Sequence, residues 1–263
     1  MHSLSARRIE LQRALLLMML CATGGCAGVP AAAVQQIHQA HLALDSGRFA
    51  EADRLVSPVI AAYPDTPAAA EALYLRGLAR LNTGMRQPAR FDFEAALDRA
   101  RRGDLIARLH AQLGNMDYDD SAYVRAAEHY RRARPELPRT SPTAEILLRY
   151  GISLQRSGRI EEAREILGEV VERYSDSRPA ADARRKLEWN HDFFAIQCGA
   201  FAQSQAAQDI ATRLRTQGVE AAIERAPGTS NYVVLAGRYR TYEQAASALP
   251  SVRRTAADAF VVP

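Results

Sequence analysis

The residue types that most often carry catalysis or metal binding are few in this chain and stand apart. Its six histidines are His2, His38, His41, His110, His129 and His191. His38 and His41 lie three residues apart on a predicted helix, but none of the six shows a zinc-type pattern, and we interpret both as surface residues. The sequence has neither a glycine-rich phosphate loop nor a Gly-x-Ser-x-Gly turn. It therefore predicts no catalytic residue, no metal site and no cofactor, and it indicates that the chain is not an enzyme.

Residues suited to binding recur in two similar segments near the carboxyl terminus. Residues 196–201 read IQCGAF, and residues 234–239 read VLAGRY. Alternate side chains of a strand point to opposite faces, so an apolar core face is expected to hold Phe194, Ile196, Cys198, Val234 and Ala236. The opposite face is expected to hold Ala195, Gln197, Gly199, Val233 and Leu235. A glutamine amide both donates and accepts hydrogen bonds, so this second face suits a neutral ligand rich in hydroxyl and amide groups.

The pattern around these segments predicts a small α+β module. Strands are expected at residues 193–198, 219–224, 232–236 and 259–262, and helices at 205–217 and 242–249. The order β-α-β-β-α-β is typical of a split, ferredoxin-like or RNP-like unit with both helices on one face of an antiparallel sheet. The face that carries Gln197 is therefore expected to be uncovered.

The two segments and the order of elements resemble the SPOR (sporulation-related repeat) domain, over residues 191–263. The resemblance implies binding of peptidoglycan glycan strands from which the stem peptides have been removed. It places the binding surface on the predicted open face, at Gln197, Gly199, Ala200, Val233 and Leu235. No stacking aromatic residue is predicted on that face, which, with the export signal described below, disfavours RNA or other nucleic acid as a partner.

A repeat of 37 residues organises the chain before this module. One small residue recurs at this interval at Ala52, Ala89, Ala126 and Ala163. Large residues follow it in register at Val56, Phe93, Tyr130 and Leu167, and a second small position falls at Ala40, Gly77, Gly114 and Gly151. A turn residue precedes the second helix at Gly47, Gly84, Ser121 and Gly158. This pattern predicts four helical hairpins whose small residues allow close approach.

The repeat resembles the tetratricopeptide repeat (TPR), whose usual period is about 34 residues, over residues 34–190. The resemblance implies an all-α solenoid with a groove for a protein partner whose identity the sequence does not give. Tyr74, Arg149 and Tyr150 lie on first helices, which line the groove in this family. The alternative for these three residues is ordinary packing or a solvated position. The alternative is a solenoid that serves only as a spacer.

The first thirty residues have the pattern of an export signal. Arg7, Arg8 and Arg13 precede the nine-residue apolar run ALLLMMLCA, which is too short to span a bilayer. The following TGGC resembles a bacterial lipobox, which implies a signal peptide at residues 1–25, lipidation (palmitate) of Cys26 and a short tether at residues 26–33. Because Ala27 follows the cysteine, the resemblance implies an outer-membrane lipoprotein facing the periplasm. The alternative is ordinary signal cleavage near Ala31 or Ala33.

Composition excludes several other classes of protein. The chain has 263 residues, of which 48% are hydrophobic and 24% charged, so it is not intrinsically disordered. Its net charge of +4 is spread without a basic stripe, and three cysteines are too few for a disulfide scaffold. The predicted architecture is therefore multidomain, with an all-α solenoid followed by a small α+β module.

Together these features predict a non-catalytic scaffold of the cell envelope. It binds peptidoglycan through its carboxyl-terminal module and protein partners through its groove, in cell division or wall remodelling. One alternative is an outer-membrane protein assembly factor whose groove holds client chains. Another is an enzyme or small-molecule sensor, since split β-α-β folds also house such sites, but no supporting residue cluster is found.

Overall fold

The computed structural model describes residues 29–140, 142–189, 191–226 and 229–262. The expected signal peptide at residues 1–25, the lipidation site Cys26 and the first part of the tether lie outside these residues. The chain divides into two compact units, Met1–Arg99 and Ala100–Pro263.

The described part of the first unit consists of two helical hairpins. Its helices are α1 (Ala31–Asp45), α2 (Phe49–Ala62), α3 (Pro67–Asn82) and α4 (Arg86–Arg99). Helix α3 begins at Pro67, because the Thr66 hydroxyl accepts a hydrogen bond from the Ala69 N–H and Pro67 occupies the first turn. Gly77 of α3 and Phe93 of α4 meet so closely that a Cβ at Gly77 would lie 2.4 Å from the Phe93 ring.

The second unit opens with two more hairpins and a closing helix. They are α5 (Gly103–Asp119), α6 (Tyr123–Ala133) with a following 3-10 turn (Arg134–Glu136), α7 (Thr143–Arg156), α8 (Ile160–Arg173) and α9 (Arg178–Leu187). A Cβ at Gly114 would lie 2.8 Å from the Tyr130 ring, and one at Gly151 would lie 2.7 Å from the Leu167 side chain. The repeat therefore alternates small and large residues because a ring or branched side chain of the second helix fills the space beside a glycine of the first.

The turn residue of each hairpin adopts a left-handed backbone conformation. Gly47, Gly84 and Gly158 have φ of +72°, +81° and +83°, and Ser121 takes φ of +58° at the equivalent place. Glycine reaches this region without a Cβ penalty, which explains why glycine precedes the second helix in three of these four hairpins. The prediction of an all-α repeat architecture is confirmed.

The last seventy residues form the predicted α+β module. Its elements are β1 (Phe194–Phe201), α10 (Ser204–Thr216), β2 (Ala221–Arg225), β3 (Tyr232–Tyr239), α11 (Tyr242–Arg253) and β4 (Phe260–Val262). The strands pair in the antiparallel order β2-β3-β1-β4. The order of elements is confirmed, although β1 and β3 each extend further toward the carboxyl terminus than the sequence pattern indicates.

The core of this module lies between one face of the sheet and helices α10 and α11. Ile196 and Cys198 of β1 and Val234 and Ala236 of β3 point into it, as alternation predicts. They pack against apolar residues of the two helices, namely Ala207, Ala211, Leu214 and Val252. The apolar half of each strand is therefore closed by segments of the same module.

The module also contacts the preceding helices within the second unit. Ile160 at the start of α8 is buried with Phe194 of β1 and Ala245 of α11. The Arg156 guanidinium lies over the rings of Tyr123 and Tyr242, at 4.7 Å and 4.5 Å from their centroids, and it donates a hydrogen bond to the Tyr123 hydroxyl. These contacts join α6, α7 and α8 to the base of α11.

No helix in the described part of the chain is long and apolar enough to cross a bilayer.

Candidate functional site

A cleft of about 820 Å³ lies between the second face of the sheet and the helices of the same unit. One wall comes from α5, α7, α9 and the segment after α9, and the other from the sheet and the loop after β2. The helical side contributes Tyr118, Glu145, Leu148, Arg149, Ile152, Asp182, Arg185, Lys186, Glu188, Trp189 and His191. The sheet side contributes Gln197, Ala200, Glu224, Arg225, Ala226, Thr229, Asn231, Val233, Leu235 and Val262. Its volume falls within the range of about 300–1,000 Å³ that is usual for small-ligand sites.

Four of the five predicted binding residues line this cleft, and a β-bulge explains the fifth. Gln197 pairs with Leu235, but the next pair is Ala200 with Val233, so β1 carries one extra residue between them. The bulge brings Ala200 to the Gln197 face and removes Gly199 from it. Gly199 has φ of +145°, and a Cβ there would lie 2.7 Å from the Phe201 ring. Gly199 therefore allows the backbone conformation of the bulge and does not line the cleft.

The expectation of an uncovered sheet face is wrong. Leu235 is only 4% exposed and Val233 9%, and Ala195 is fully buried. Trp189, Phe193, Ala226 and Val262 pack against these three residues. The Trp189 indole N–H donates a hydrogen bond to the Phe193 carbonyl over 3.0 Å, which holds the segment between α9 and β1 against the sheet. The apolar character of the face, unusual for a solvated sheet, was the sequence signal for this cover.

One aromatic residue on this face was missed from the sequence. Phe260 of β4 pairs directly with Gln197, so the two side chains lie on the same face of the sheet. Phe260 is 48% exposed. The expectation that the Gln197 face carries no stacking aromatic is therefore wrong. The signal was present in β4, because an antiparallel register that places Val262 opposite Ala195 also places Phe260 opposite Gln197.

On the helical wall, one of the three predicted groove residues reaches the cleft. Arg149 of α7 donates to Glu145 over 3.1 Å and to Asp119 over 3.3 Å, and its guanidinium lies over the Tyr118 ring. Tyr150 is instead buried beside Tyr130. Tyr74, in the first unit, is buried beside Phe93. The tyrosines pack within their own units and are not presented to a partner.

Helix α9 brings two more cations to the cleft. Arg185 forms an ion pair with Asp182, one turn earlier on the same helix. Burial lowers the pKa of the Lys186 ammonium, and the nearby positive charges of Arg156 and Arg185 lower it further. Among the described residues, no carboxylate forms an ion pair with Lys186, although Asp182 lies near enough to raise its pKa slightly. Lys186 is thus a half-buried cation whose charge the surrounding side chains leave incompletely balanced.

The sheet wall has its own polar groups. The His191 ring nitrogen Nε2 lies 3.0 Å from the Glu224 carboxylate. Arg225 donates to the Ser230 carbonyl over 2.7 Å and to the Tyr232 hydroxyl over 2.9 Å. Glu188 is exposed at the rim. The cleft therefore combines an apolar floor with hydrogen-bonding groups and charges of both signs around it.

None of these groups forms a recognisable reaction centre. In the part of the chain that the structure describes, no three or more His, Cys, Asp or Glu residues are placed to hold a metal ion. Burial raises the pKa of the Cys198 thiol to about 11, so this residue is protonated at neutral pH. The geometry suits binding of a ligand through hydrogen bonds, apolar contact and charge.

Comparison with known proteins agrees with both parts of this architecture. Residues 190–263 match the SPOR domain family, and residues 145–177 match a tetratricopeptide repeat family. No curated protein sequence matches the chain. Among solved structures, MamA AMB-1 aligns over 59% of this chain and 82% of its own, with a TM-score of 0.46 and 17% identity. YrrB, a TPR protein with an unusual peptide-binding site, aligns over 58% of this chain and 92% of its own, with a TM-score of 0.30 and 17% identity.

Proposed function

We propose that this chain, which carries a SPOR domain at residues 190–263 and a tetratricopeptide repeat before it, is a non-catalytic scaffold of the bacterial cell envelope. SPOR domains bind peptidoglycan and occur in cell-envelope proteins, and tetratricopeptide repeats mediate contacts between proteins. Both are binding modules without catalytic activity. The more specific proposal is that the chain holds peptidoglycan glycan strands in its cleft and recruits a protein partner during cell division or wall remodelling.

The observation that carries the proposal is the environment of Gln197. Its neighbours across the sheet are Leu235 on one side and the half-exposed Phe260 on the other. An amide between two apolar surfaces can donate to and accept from sugar hydroxyl and acetamido groups, while pyranose faces and acetyl methyl groups lie against the apolar side chains. Because Gln197 also lines the cleft, a glycan strand bound there would lie between the sheet and α7 and α9.

Co-sedimentation with purified sacculi tests this binding mode. The full chain is used with Cys26→Ser, so that no attached lipid contributes to pelleting. The protein should pellet with sacculi, and more strongly after an amidase has removed the stem peptides. Gln197→Ala and Phe260→Ala should each weaken binding about fivefold or more, because each removes roughly 1 kcal/mol or more of contact.

Gln208→Ala is the matched control, since Gln208 is an exposed glutamine of α10 that does not line the cleft. Unchanged pelleting of both Gln197→Ala and Phe260→Ala would contradict the assignment of this site. Retention of unfolded porin segments without any retention on sacculi would instead favour the outer-membrane assembly factor.

We also propose that Cys26 is lipidated and that the chain is anchored in the outer membrane, facing the periplasm. The support is the basic segment, short apolar run and TGGC sequence before it. Labelled palmitate should be incorporated by the parent chain and lost in Cys26→Ser, and outer-membrane fractions should lose the variant. Incorporation into the variant, or cleavage near Ala31 or Ala33, would contradict the proposal.

A further inference from the structure

Half of the cleft is built by residues that lie outside the SPOR domain. Leu148, Arg149 and Ile152 of α7 and Arg185 and Lys186 of α9 face the same space as Gln197 and Leu235. A ligand on the sheet would therefore also contact the helical repeat. The charged groups of this second wall would then face any ligand that occupies the cleft.

Most charged groups of the cleft already have partners in the described part of the chain. Arg149 is held by Glu145 and Asp119, Arg185 by Asp182, and Glu224 by His191. Lys186 has no such ion pair, and it is half-buried where the positive charges of Arg156 and Arg185 lower its pKa. A partly desolvated cation next to like charges is unfavourable. A ligand that brings a carboxylate to this point would relieve that cost.

Peptidoglycan carries a free carboxylate on the sugar strand itself in one state only. Each muramic acid residue carries a lactyl group, whose carboxyl forms an amide bond with the stem peptide while that peptide is present. Hydrolysis of that amide leaves a free carboxylate on the sugar strand. Polymers of N-acetylglucosamine have the same backbone linkage and acetamido groups but lack the lactyl group. The carboxylate is therefore the charge that distinguishes a stripped muramyl strand from both alternatives.

Building on the glycan binding proposed above, we propose that the helical wall forms the second half of the glycan site and that Lys186 binds the lactyl carboxylate of a stripped strand. Glu188, exposed at the rim, disfavours a second anion near the cleft entrance. Recognition of stripped strands then depends on the repeat domain as well as on the SPOR sheet.

The composition of the chain offers a direct probe, because Lys186 is its one lysine. Reductive methylation with labelled formaldehyde tags Lys186 and the amino terminus while keeping both charges. The full chain with Cys26→Ser is titrated with a soluble GlcNAc–MurNAc oligosaccharide or with an N-acetylglucosamine oligomer of the same length. The dimethyl-lysine carbon signal should shift with the muramyl ligand and not with the oligomer.

Affinity measurements on unlabelled protein complete the test. Lys186→Gln should weaken binding of the muramyl ligand about tenfold, the size expected for one charge-assisted contact, and leave binding of the N-acetylglucosamine oligomer unchanged. Lys186→Arg should restore most of the loss. Arg178→Gln is the charge-matched control, because Arg178 is exposed on the same helix and does not line the cleft.

The outcomes separate this proposal from the function on which it rests. Loss of muramyl selectivity in Lys186→Gln alone supports the proposal. Unchanged selectivity in Lys186→Gln, together with weaker binding in Gln197→Ala, overturns the role of Lys186 and leaves glycan binding by the sheet intact. Absence of binding by the parent chain to either ligand and to sacculi overturns both.

Discussion

The two faces of the carboxyl-terminal sheet are both apolar and both covered, but they are covered in different ways. Ile196 and Val234 lie beneath α10 and α11, which belong to the same module and follow the strands closely in sequence. Leu235 and Val233 lie beneath Trp189 and Phe193 and border the cleft. The first face is covered by the side chains of the two helices. The second face is covered only in part and borders a cleft of about 820 Å³.

Apolar residues on a strand therefore do not show by themselves whether a face belongs to a core or to a binding surface. A buried side chain in a packed core has neighbours on every side, and its loss leaves a void. A buried side chain at the floor of a cleft already borders open space. The same substitution is therefore expected to have different consequences on the two faces.

The largest effect is expected for Ile196→Ala on the packed face. Ile196 is fully buried among α10, α11 and β3, so the substitution removes apolar contact and leaves a cavity. The free energy of unfolding should fall by about 3–4 kcal/mol. Urea unfolding of the full chain, followed by far-ultraviolet circular dichroism, measures the change.

Leu235→Ala is the matching substitution on the cleft face and should cost less. The space left by the side chain joins the existing cleft, so the loss is mainly the transfer free energy of the removed methylene groups, about 2 kcal/mol. The same urea experiment measures it, and binding to amidase-treated sacculi should fall as well. Equal losses of stability in the two variants would remove the distinction between the faces.

A smaller effect is expected from Arg156→Ala, which removes one of the contacts between the preceding helices and the carboxyl-terminal module. Its guanidinium lies between the rings of Tyr123 and Tyr242, and cation–π contacts of this kind contribute roughly 1 kcal/mol each. The chain has a single tryptophan, and it covers the cleft face of the sheet. Acrylamide should therefore quench Trp189 fluorescence more strongly in Arg156→Ala than in the parent chain, while Arg178→Ala leaves quenching unchanged.

Much of this architecture is predictable from the sequence, because short-range patterns record local packing. The 37-residue spacing finds the hairpins, and Gly77 and Phe93 show why, since one leaves the space that the other fills. Strand alternation likewise finds Ile196 and Val234 on the core face. The repeat reflects residues in direct contact, such as Gly77 and Phe93. Alternation reflects residues on neighbouring strands, such as Ile196 and Val234.

The features that escaped prediction depend on longer-range geometry. Alternation assumes an unbroken strand, so it could not locate the bulge that exchanges Gly199 for Ala200 on the cleft face. The cover supplied by Trp189 depends on how the segment after α9 folds back over the sheet, which no period in the sequence encodes. Phe260 required the β1–β4 register, which follows from pairing rather than from composition.

The smallest effect is expected for Cys198, which lies on the packed face and faces away from the cleft. In a chain with Cys21→Ser and Cys26→Ser it is the one remaining thiol. Burial raises the pKa of this thiol to about 11 from an ordinary value near 9, so at pH 8 the reactive thiolate is scarce. Modification by a disulfide reagent should be slow in the native protein, fast in urea, and unaffected by muramyl ligand.

The pH dependence of stability provides the second half of this prediction. Between pH 9 and 11 the unfolded thiol loses its proton while the folded one keeps it. The folded state then binds more protons, so this group makes the free energy of unfolding fall as the pH rises through that window. Cys198→Ser should flatten that part of the profile. Rapid native-state modification at pH 8 would show that the face beneath α10 and α11 is as accessible as the cleft, and the contrast between the two faces would fail.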